Sequence, residues 1–232
     1  MTTLSKAEVA CAVCSARNTV TVIQSLYAGN RIGLDGRPAW LPRNLVALTI
    51  HECQACGYCA PDLTTTKGIG AAATIEAQCS TPAASSLPPA ARRFCSYADL
   101  GEAAGNYKLA CWARLNGAWV CDDLGRRSSH AAYRCRQGAL KALEELNARN
   151  QRLLPHDNFD HLLQLDLWRR TRKFTEVTEA VTATPHSHAR FYQRIASFQL
   201  YLAHGSDPAS YTIGEALAAE RPWSKVGQHP RR

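Results

Sequence analysis

Cys11-Ala-Val-Cys14 and Cys53-Gln-Ala-Cys56-Gly57 are two Cys-x-x-Cys pairs separated by thirty-eight residues. Within each pair the spacing lets a tight knuckle aim two sulfurs at one point. Two knuckles at the ends of a hairpin complete a tetrahedral thiolate cage, the arrangement zinc prefers. Gly57 stands where a knuckle calls for a positive φ or a close backbone approach; the first pair has Ser15 in that place. The spacing predicts a four-cysteine zinc ribbon with Cys11, Cys14, Cys53 and Cys56 as ligands. The competing reading is a set of independent core or redox cysteines. Four thiolates leave no open coordination position, so a Zn2+ held here is structural rather than catalytic, its binding free energy serving as folding free energy.

Two neighbours complicate the ligand set. Cys59 extends the second pair into a run that opens like an iron–sulfur motif, but the fourth position of that run is Leu63. His51 lies two residues before Cys53 and could replace a thiolate. Both read as proximity without ligation, because four thiolates already close the shell.

Other chemistry-bearing residues do not assemble into a reaction. Asp122-Asp123 is a carboxylate pair, yet adjacent helical residues point about 100° apart, which favours an exposed or interhelical contact. His186 and His188 diverge in the same way, and an enzyme would need a helical pocket gathering Asp122, Asp123, His156 or His161. There is no His-Glu-x-x-His, no Gly-Lys-Ser/Thr phosphate loop and no Gly-x-Ser-x-Gly elbow. Arg169-Arg170-Thr-Arg172-Lys173 could grip phosphates or complement the C-terminal dipole of its own helix. In the loop Ile32-Gly-Leu-Asp-Gly-Arg-Pro38, Asp35 and Arg37 either pair across the turn or face a partner.

The elements that must position the cysteines are β-like around the pairs and helical beyond them. Thr19–Val22 alternates polar and apolar, and Asn44–Ile50 is a β-rich run leading into the second knuckle, with Gly29, Gly33, Gly36 and Pro38 punctuating the enlarged loop between. Residues 80–89 are rich in Ser, Pro and Ala and read as a hinge. Ser96 with Asp99 resembles an N-terminal cap, followed by a long helix whose face carries Leu100, Ala104, Tyr107, Cys111, Leu115 and Ala118, ended by Gly125. Further helices carry Ala131, Cys135, Ala139, Ala142 and Leu146; then Phe159, Leu162, Leu163 and Trp168 after Asp157; then Phe174–Val181. The last two carry Phe191, Ile195, Phe198 and Leu202 after Thr184-Pro185, and a short segment capped by Thr212 with Glu215. Cys111, Cys121 and Cys135 read as small buried side chains. The expected class is α+β: a zinc ribbon over 1–66, a connector over 67–95 and an all-α helical-hairpin domain over 96–232, tetratricopeptide-like but without a visible 34-residue repeat.

Composition narrows the setting. At 46% hydrophobic and 20% charged the chain is that of a folded protein rather than a disordered one. A net charge of +8 is spread along it, with no basic arm of the kind that marks nucleic-acid tails. No run approaches the roughly 18 apolar residues that span a bilayer, and Met1–Lys6 carries no apolar signal core, so a cytoplasmic protein without a membrane partner is expected. Ten cysteines in a reducing compartment again favour metal over disulfides.

Cys-x-x-Cys, then Gly33-Leu-Asp-Gly-Arg-Pro38, then Glu52-Cys-Gln-Ala-Cys-Gly-Tyr-Cys-Ala-Pro-Asp62 resembles uncharacterised bacterial zinc-ribbon proteins that couple such a ribbon to tetratricopeptide-like helices. Tyr107-Lys-Leu-Ala110 and Gly117-Ala-Trp-Val-Cys-Asp-Asp123 extend the likeness, which weakens beyond residue 150. The resemblance implies zinc at Cys11, Cys14, Cys53 and Cys56 and a bacterial cytoplasmic setting, and implies no activity. The expected function is therefore a non-enzymatic zinc-binding adaptor that engages a protein partner. The alternative is a nucleic-acid-associated ribbon, with Arg17, Arg31, Arg37 and Arg43 clustered beside Tyr27 or Trp40; an enzyme of unrecognised type ranks third.

Overall fold

The computed structural model describes residues 3–25, 32–38, 45–71, 75, 87–155, 158–183 and 190–219. Cys79, most of the 80–89 hinge, His156, Asp157, Thr184, Pro185, His186, His188, Tyr27, Arg31, Trp40 and Arg43 lie outside these residues. The architecture is α+β and mostly helical: among the described residues, two small sheets around the cysteines precede seven helices. The chain divides into two compact units, one of residues 1–29 with 40–153, the other of residues 30–39 with 154–232.

In the first unit, strand β1 (Thr3–Ala10) pairs antiparallel with β2 (Arg17–Ser25). The polar–apolar alternation of Thr19–Val22 becomes the inward and outward faces of β2, with Asn18 and Val20 buried. Strands β3 (His51–Glu52) and β4 (Cys59–Ala60) form a second, minimal hairpin. The segment before β3 is not a strand as its composition predicts: Val46–Leu48 is a 3-10 turn. Val46 and Ile50 are buried in the helical core instead, so the apolar run reflects packing rather than sheet formation.

Helices α1 (Pro89–Ala103), α2 (Tyr107–Asp123) and α3 (Ser129–Ala148) follow. α1 starts seven residues before Ser96, with Pro89 at its first turn, where a missing N–H costs nothing. Asp99 is an ion-pair partner of Arg114 instead of a cap. The single long helix expected after residue 96 is two helices. Gly105 takes φ 71°, and the Asn106 side chain caps α2 by accepting from the Leu109 N–H at 3.2 Å. Gly125 (φ 79°) ends α2 as predicted. Arg114 meets Asp99 and Glu102, while Cβ atoms placed on Gly117 and Gly138 would meet Cys135 and Arg114. Contacts that climb one helix as they descend the next make α1, α2 and α3 successively antiparallel.

Small residues let these helices approach closely. Ala91, Ala118, Ala131 and Ala132 pack with Phe94, Cys95, Cys121 and Cys135 in one cluster that also takes Val46 and Ile50. A second cluster joins Cys11, Val20, Cys53, Tyr58, Leu63 and Ile69 to Leu100 of α1. The ribbon thus docks on the helices, and Glu52–Arg92 (3.3 Å), Arg93 to the Ala47 carbonyl (3.1 Å) and Asn106 to the Gly68 carbonyl (3.1 Å) tie its rim.

The second unit holds α4 (Phe159–Arg170), α5 (Phe174–Ala183), α6 (Arg190–His204) and α7 (Ile213–Ala218). Thr212 and Glu215 form the predicted capping box. Ile195, Phe198 and Leu202 are buried as their spacing requires, but Phe191 is half exposed and Tyr192 takes its place in the core. Segment 32–38 is a strand-like addition to this unit: Leu34 N–H donates to the Tyr211 carbonyl (2.9 Å) and Ile213 N–H to the Ile32 carbonyl (2.9 Å). No described helix is long and apolar enough to cross a membrane.

Candidate metal centre

Each Cys-x-x-Cys pair sits at a turn that the strands deliver. β1 ends at Ala10, and Cys11 N–H donates to the Ala16 carbonyl (2.9 Å) while Ser15 N–H donates back to the Cys11 carbonyl (2.8 Å). The second pair repeats the pattern residue for residue: Cys53 N–H to the Tyr58 carbonyl and Gly57 N–H to the Cys53 carbonyl, both at 2.8 Å. Both turns need a left-handed residue after the second cysteine, and both have one, Ser15 at φ 61° and Gly57 at φ 75°. The missing glycine therefore did not change the geometry; it put a side chain into a conformation that costs about 1–2 kcal/mol.

The two knuckles face each other. Cys11, Cys14, Cys53 and Cys56 place their sulfurs within 4.8 Å of one another, with Cys11 and Cys53 buried and the other two half-buried. The Cys11–Cys56 and Cys14–Cys53 separations are 3.8 and 3.6 Å. A tetrahedron with metal–sulfur bonds of about 2.3 Å has edges of about 3.8 Å. These four cysteines could hold a metal ion such as zinc, and among the described residues they are the one group that could.

Surrounding dipoles prepare one sulfur in particular. Burial raises the Cys53 thiol, but the N–H groups of Cys56 and Ala55, the Asn18 amide and the Cys14 thiol outweigh it and bring it down to about 6. Burial pushes Cys11 and Cys56 upward. Asn18 is the residue that sequence reasoning missed. It is buried, its amide donates to Cys53 Sγ (3.4 Å) and to the Ala16 carbonyl (2.9 Å), and its carbonyl accepts from Gln54 N–H (3.0 Å). One side chain of β2 thereby spans both knuckles. A signal existed: Asn is a poor strand former, yet here it takes an inward position of an alternating strand. Tyr58, fully buried, braces the second knuckle from below by donating to the Thr65 carbonyl at 2.6 Å.

The remaining candidates have other occupations. Cys59 is buried with its thiol on the Gly57 carbonyl (3.4 Å), outside the four-sulfur group. His51, held below its ordinary value by burial and by the Arg93 charge, lines an apolar cavity of about 300 Å³ with Val20, Leu48 and Leu63. Asp122 is ion-paired with the buried Arg136 across α2 and α3, an interhelical contact. His161 is hydrogen-bonded to Tyr192 within the second unit. Cys95 and Cys135 stand 3.6 Å apart in the helical core; Cys135, donating to Cys121, is pushed up to about 12, which makes it a poor nucleophile.

The basic run does not form a phosphate grip at its first two positions. Arg169 is fully buried: Nε donates to Gln199 (2.6 Å), Nη1 to the Asp207 and Ala209 carbonyls (both 2.7 Å), and Nη2 to Asp166 (2.8 Å). Arg170 is ion-paired at 3.0 Å with Asp35, itself buried, and Asp35 also accepts the backbone N–H of Arg37 (3.2 Å). Of the residues expected to form a nucleic-acid surface, Arg17 belongs to the first unit and Arg37 to the second.

These features define an α+β protein with a four-cysteine site fit for a metal ion. No family model matches the chain, and comparison with curated proteins and with solved structures returns no match.

Proposed function

We propose that the chain is a non-enzymatic zinc-binding adaptor. Cys11, Cys14, Cys53 and Cys56 hold a structural Zn2+, and the helical hairpins, of the tetratricopeptide-like kind found beside bacterial zinc ribbons, engage another protein in the cytoplasm. The observation that carries this reading is the four-sulfur group, whose separations suit a closed tetrahedral shell with no position for water or substrate. The ribbon's packing on α1 supports it, because a metal that only folds a segment has its use in what that segment braces. The engagement of Asp122 by Arg136 and of His161 by Tyr192 in different units supports it further, since these were the residues an active site would have gathered.

Two measurements test it. Metal analysis of the purified protein should find one zinc per chain, and Cys53→Ser with Cys56→Ser should remove the zinc and lower the thermal midpoint; unchanged zinc and stability refute the metal assignment. Tagged protein recovered from its own cells, with and without nuclease, should retain the same protein associates. Loss of those associates on nuclease treatment, with nucleic acid in the untreated half, replaces the adaptor with a nucleic-acid module.

A further inference from the structure

β1 is the outer strand of a two-stranded sheet. The bond from Cys11 N–H to the Ala16 carbonyl continues the β1–β2 register, so Ser5, Ala7 and Val9 exchange hydrogen bonds with β2. The N–H and C=O groups of Leu4, Lys6, Glu8 and Ala10 consequently point away from β2. Among the described residues they have no backbone partner, and all four residues are exposed. Leu4 is also one of the large apolar side chains left open to solvent, at 47% exposure. Proteins usually guard such an edge with proline, a strong bulge or a lone lysine. This strand has no proline, and its one register shift lies at the extreme end, between Thr3 and Leu4. Its single lysine, Lys6, is accompanied on the same face by Glu8, so a partner strand of matching charge pattern is not repelled.

We propose that this edge pairs with the same edge of a second copy of the chain, antiparallel about a twofold axis through Ala7. Hydrogen bonding across the edge requires the outward residues to oppose one another, which leaves three central registers, with the axis at residue 6, 7 or 8. An axis at residue 6 sets Lys6 against Lys6 of the partner subunit, and an axis at residue 8 sets Glu8 against Glu8 of the partner subunit. Directly opposed like charges are destabilising. The axis at Ala7 sets Lys6 against the partner's Glu8 and Glu8 against the partner's Lys6, both in hydrogen-bonded pairs, and brings Leu4 opposite the partner's Ala10. The charge pattern is self-complementary about Ala7 and selects a second copy of this chain over an unrelated strand. The result is a four-stranded antiparallel sheet across the dimer, an isologous interface.

Sedimentation velocity on the full-length, zinc-loaded chain across the micromolar range tests this. The expected result is a monomer–dimer equilibrium that weakens with salt. Lys6→Glu and Glu8→Lys alone each convert two opposite-charge pairs to like-charge pairs and should weaken dimerisation about tenfold or more. The double variant K6E/E8K restores opposed charges and should restore the dimer. Zinc content, measured alongside, confirms that each variant keeps its ribbon. A monomer at every concentration, a dimer indifferent to the single exchanges, or a double variant no better than either single one overturns the proposal. None of these outcomes bears on the adaptor reading.

Discussion

Asn18 is the sharpest test of the metal centre, because its role can be separated from its volume. Its amide donates to Cys53 Sγ and the Ala16 carbonyl, and its carbonyl takes the Gln54 N–H. Asn18→Ala leaves those groups without a partner at a buried position. Two ordinary hydrogen bonds at about 1 kcal/mol each and one to a charged sulfur at about 1.5–3 kcal/mol give a loss of roughly 3.5–5 kcal/mol in the metal-loaded fold. The part that reaches the metal is smaller. Outer partners of ligands typically contribute tenfold to hundredfold in affinity, about 1.4–2.7 kcal/mol. Asn18→Asp keeps the shape but replaces the donor near Cys53 by an acceptor that is anionic at neutral pH, against a site whose four thiolates exceed the charge of Zn2+. It should therefore bind zinc more weakly than Asn18→Ala. Competition with a chromophoric chelator gives the affinities, and melting with and without chelator gives the stabilities. If Asn18→Asp binds zinc as tightly as the native chain, the amide does not tune Cys53, and the reasoning fails.

Three further predictions rest on separate features. Ser15→Gly should raise the stability of the loaded protein by about 0.5 kcal/mol, the relief of a left-handed serine at φ 61° less the greater freedom of glycine in the unfolded chain; a lowered thermal midpoint would count against it. Arg169→Met leaves the Asp166 carboxylate unpaired at 1% exposure and should cost about 3–5 kcal/mol in denaturant unfolding of the second unit, partly recovered when Asp166 is also made apolar. Although burial opposes it, the Tyr211 hydroxyl (2.6 Å), the Ala209 N–H (2.7 Å) and the Arg169 charge hold the Asp207 carboxyl below its ordinary 3.8. A depressed acid contributes stability that is fully present above its unfolded value and is lost as pH falls through the folded one. Asp207→Asn should accordingly flatten the acid side of the stability curve below about pH 4, read by unfolding at a series of pH values.

The parts legible in the sequence are those set by short-range geometry. Cys-x-x-Cys specifies a knuckle within four residues, and the stripe Ala131, Cys135, Ala139, Ala142 and Leu146 specifies a helix face that is buried throughout. What failed depended on distant partners. β1 reads Thr-Leu-Ser-Lys-Ala-Glu-Val-Ala, with little β propensity of its own, and is a strand because β2 pairs with it. Leu45–Ile50 carries strand-like residues whose burial is supplied by helices. The stripe across Ala104 and Tyr107 continued through Gly105 and Asn106, so the periodicity concealed a break that those two residues announce locally. Arg169 looked like surface because charge is ordinarily solvated; only Asp166, Gln199 and two carbonyls of the Asp207–Ala209 turn make its burial tolerable.

The docking of the ribbon changes what a structural metal means here. Cys11 and Cys53 are not only candidate ligands but buried members of the cluster that contains Tyr58, Leu63, Ile69 and Leu100. Such small sheets, one of them two residues per strand, cannot hold their own core. In metal-free protein the knuckles would keep their backbone bonds but lose the one bond network joining all four sulfurs, and the face offered to α1 would loosen with them. A metal ion held by these four cysteines would therefore stabilise the helical hairpin through the ribbon, and its removal should be read out in the helices. Amide exchange at Leu100 and its neighbours in α1 should rise on chelation, while α4 to α7, in the other unit, keep their protection. Equal loss of protection in both units would mean that the metal governs the whole chain; unchanged α1 would mean that the ribbon's packing stands without it.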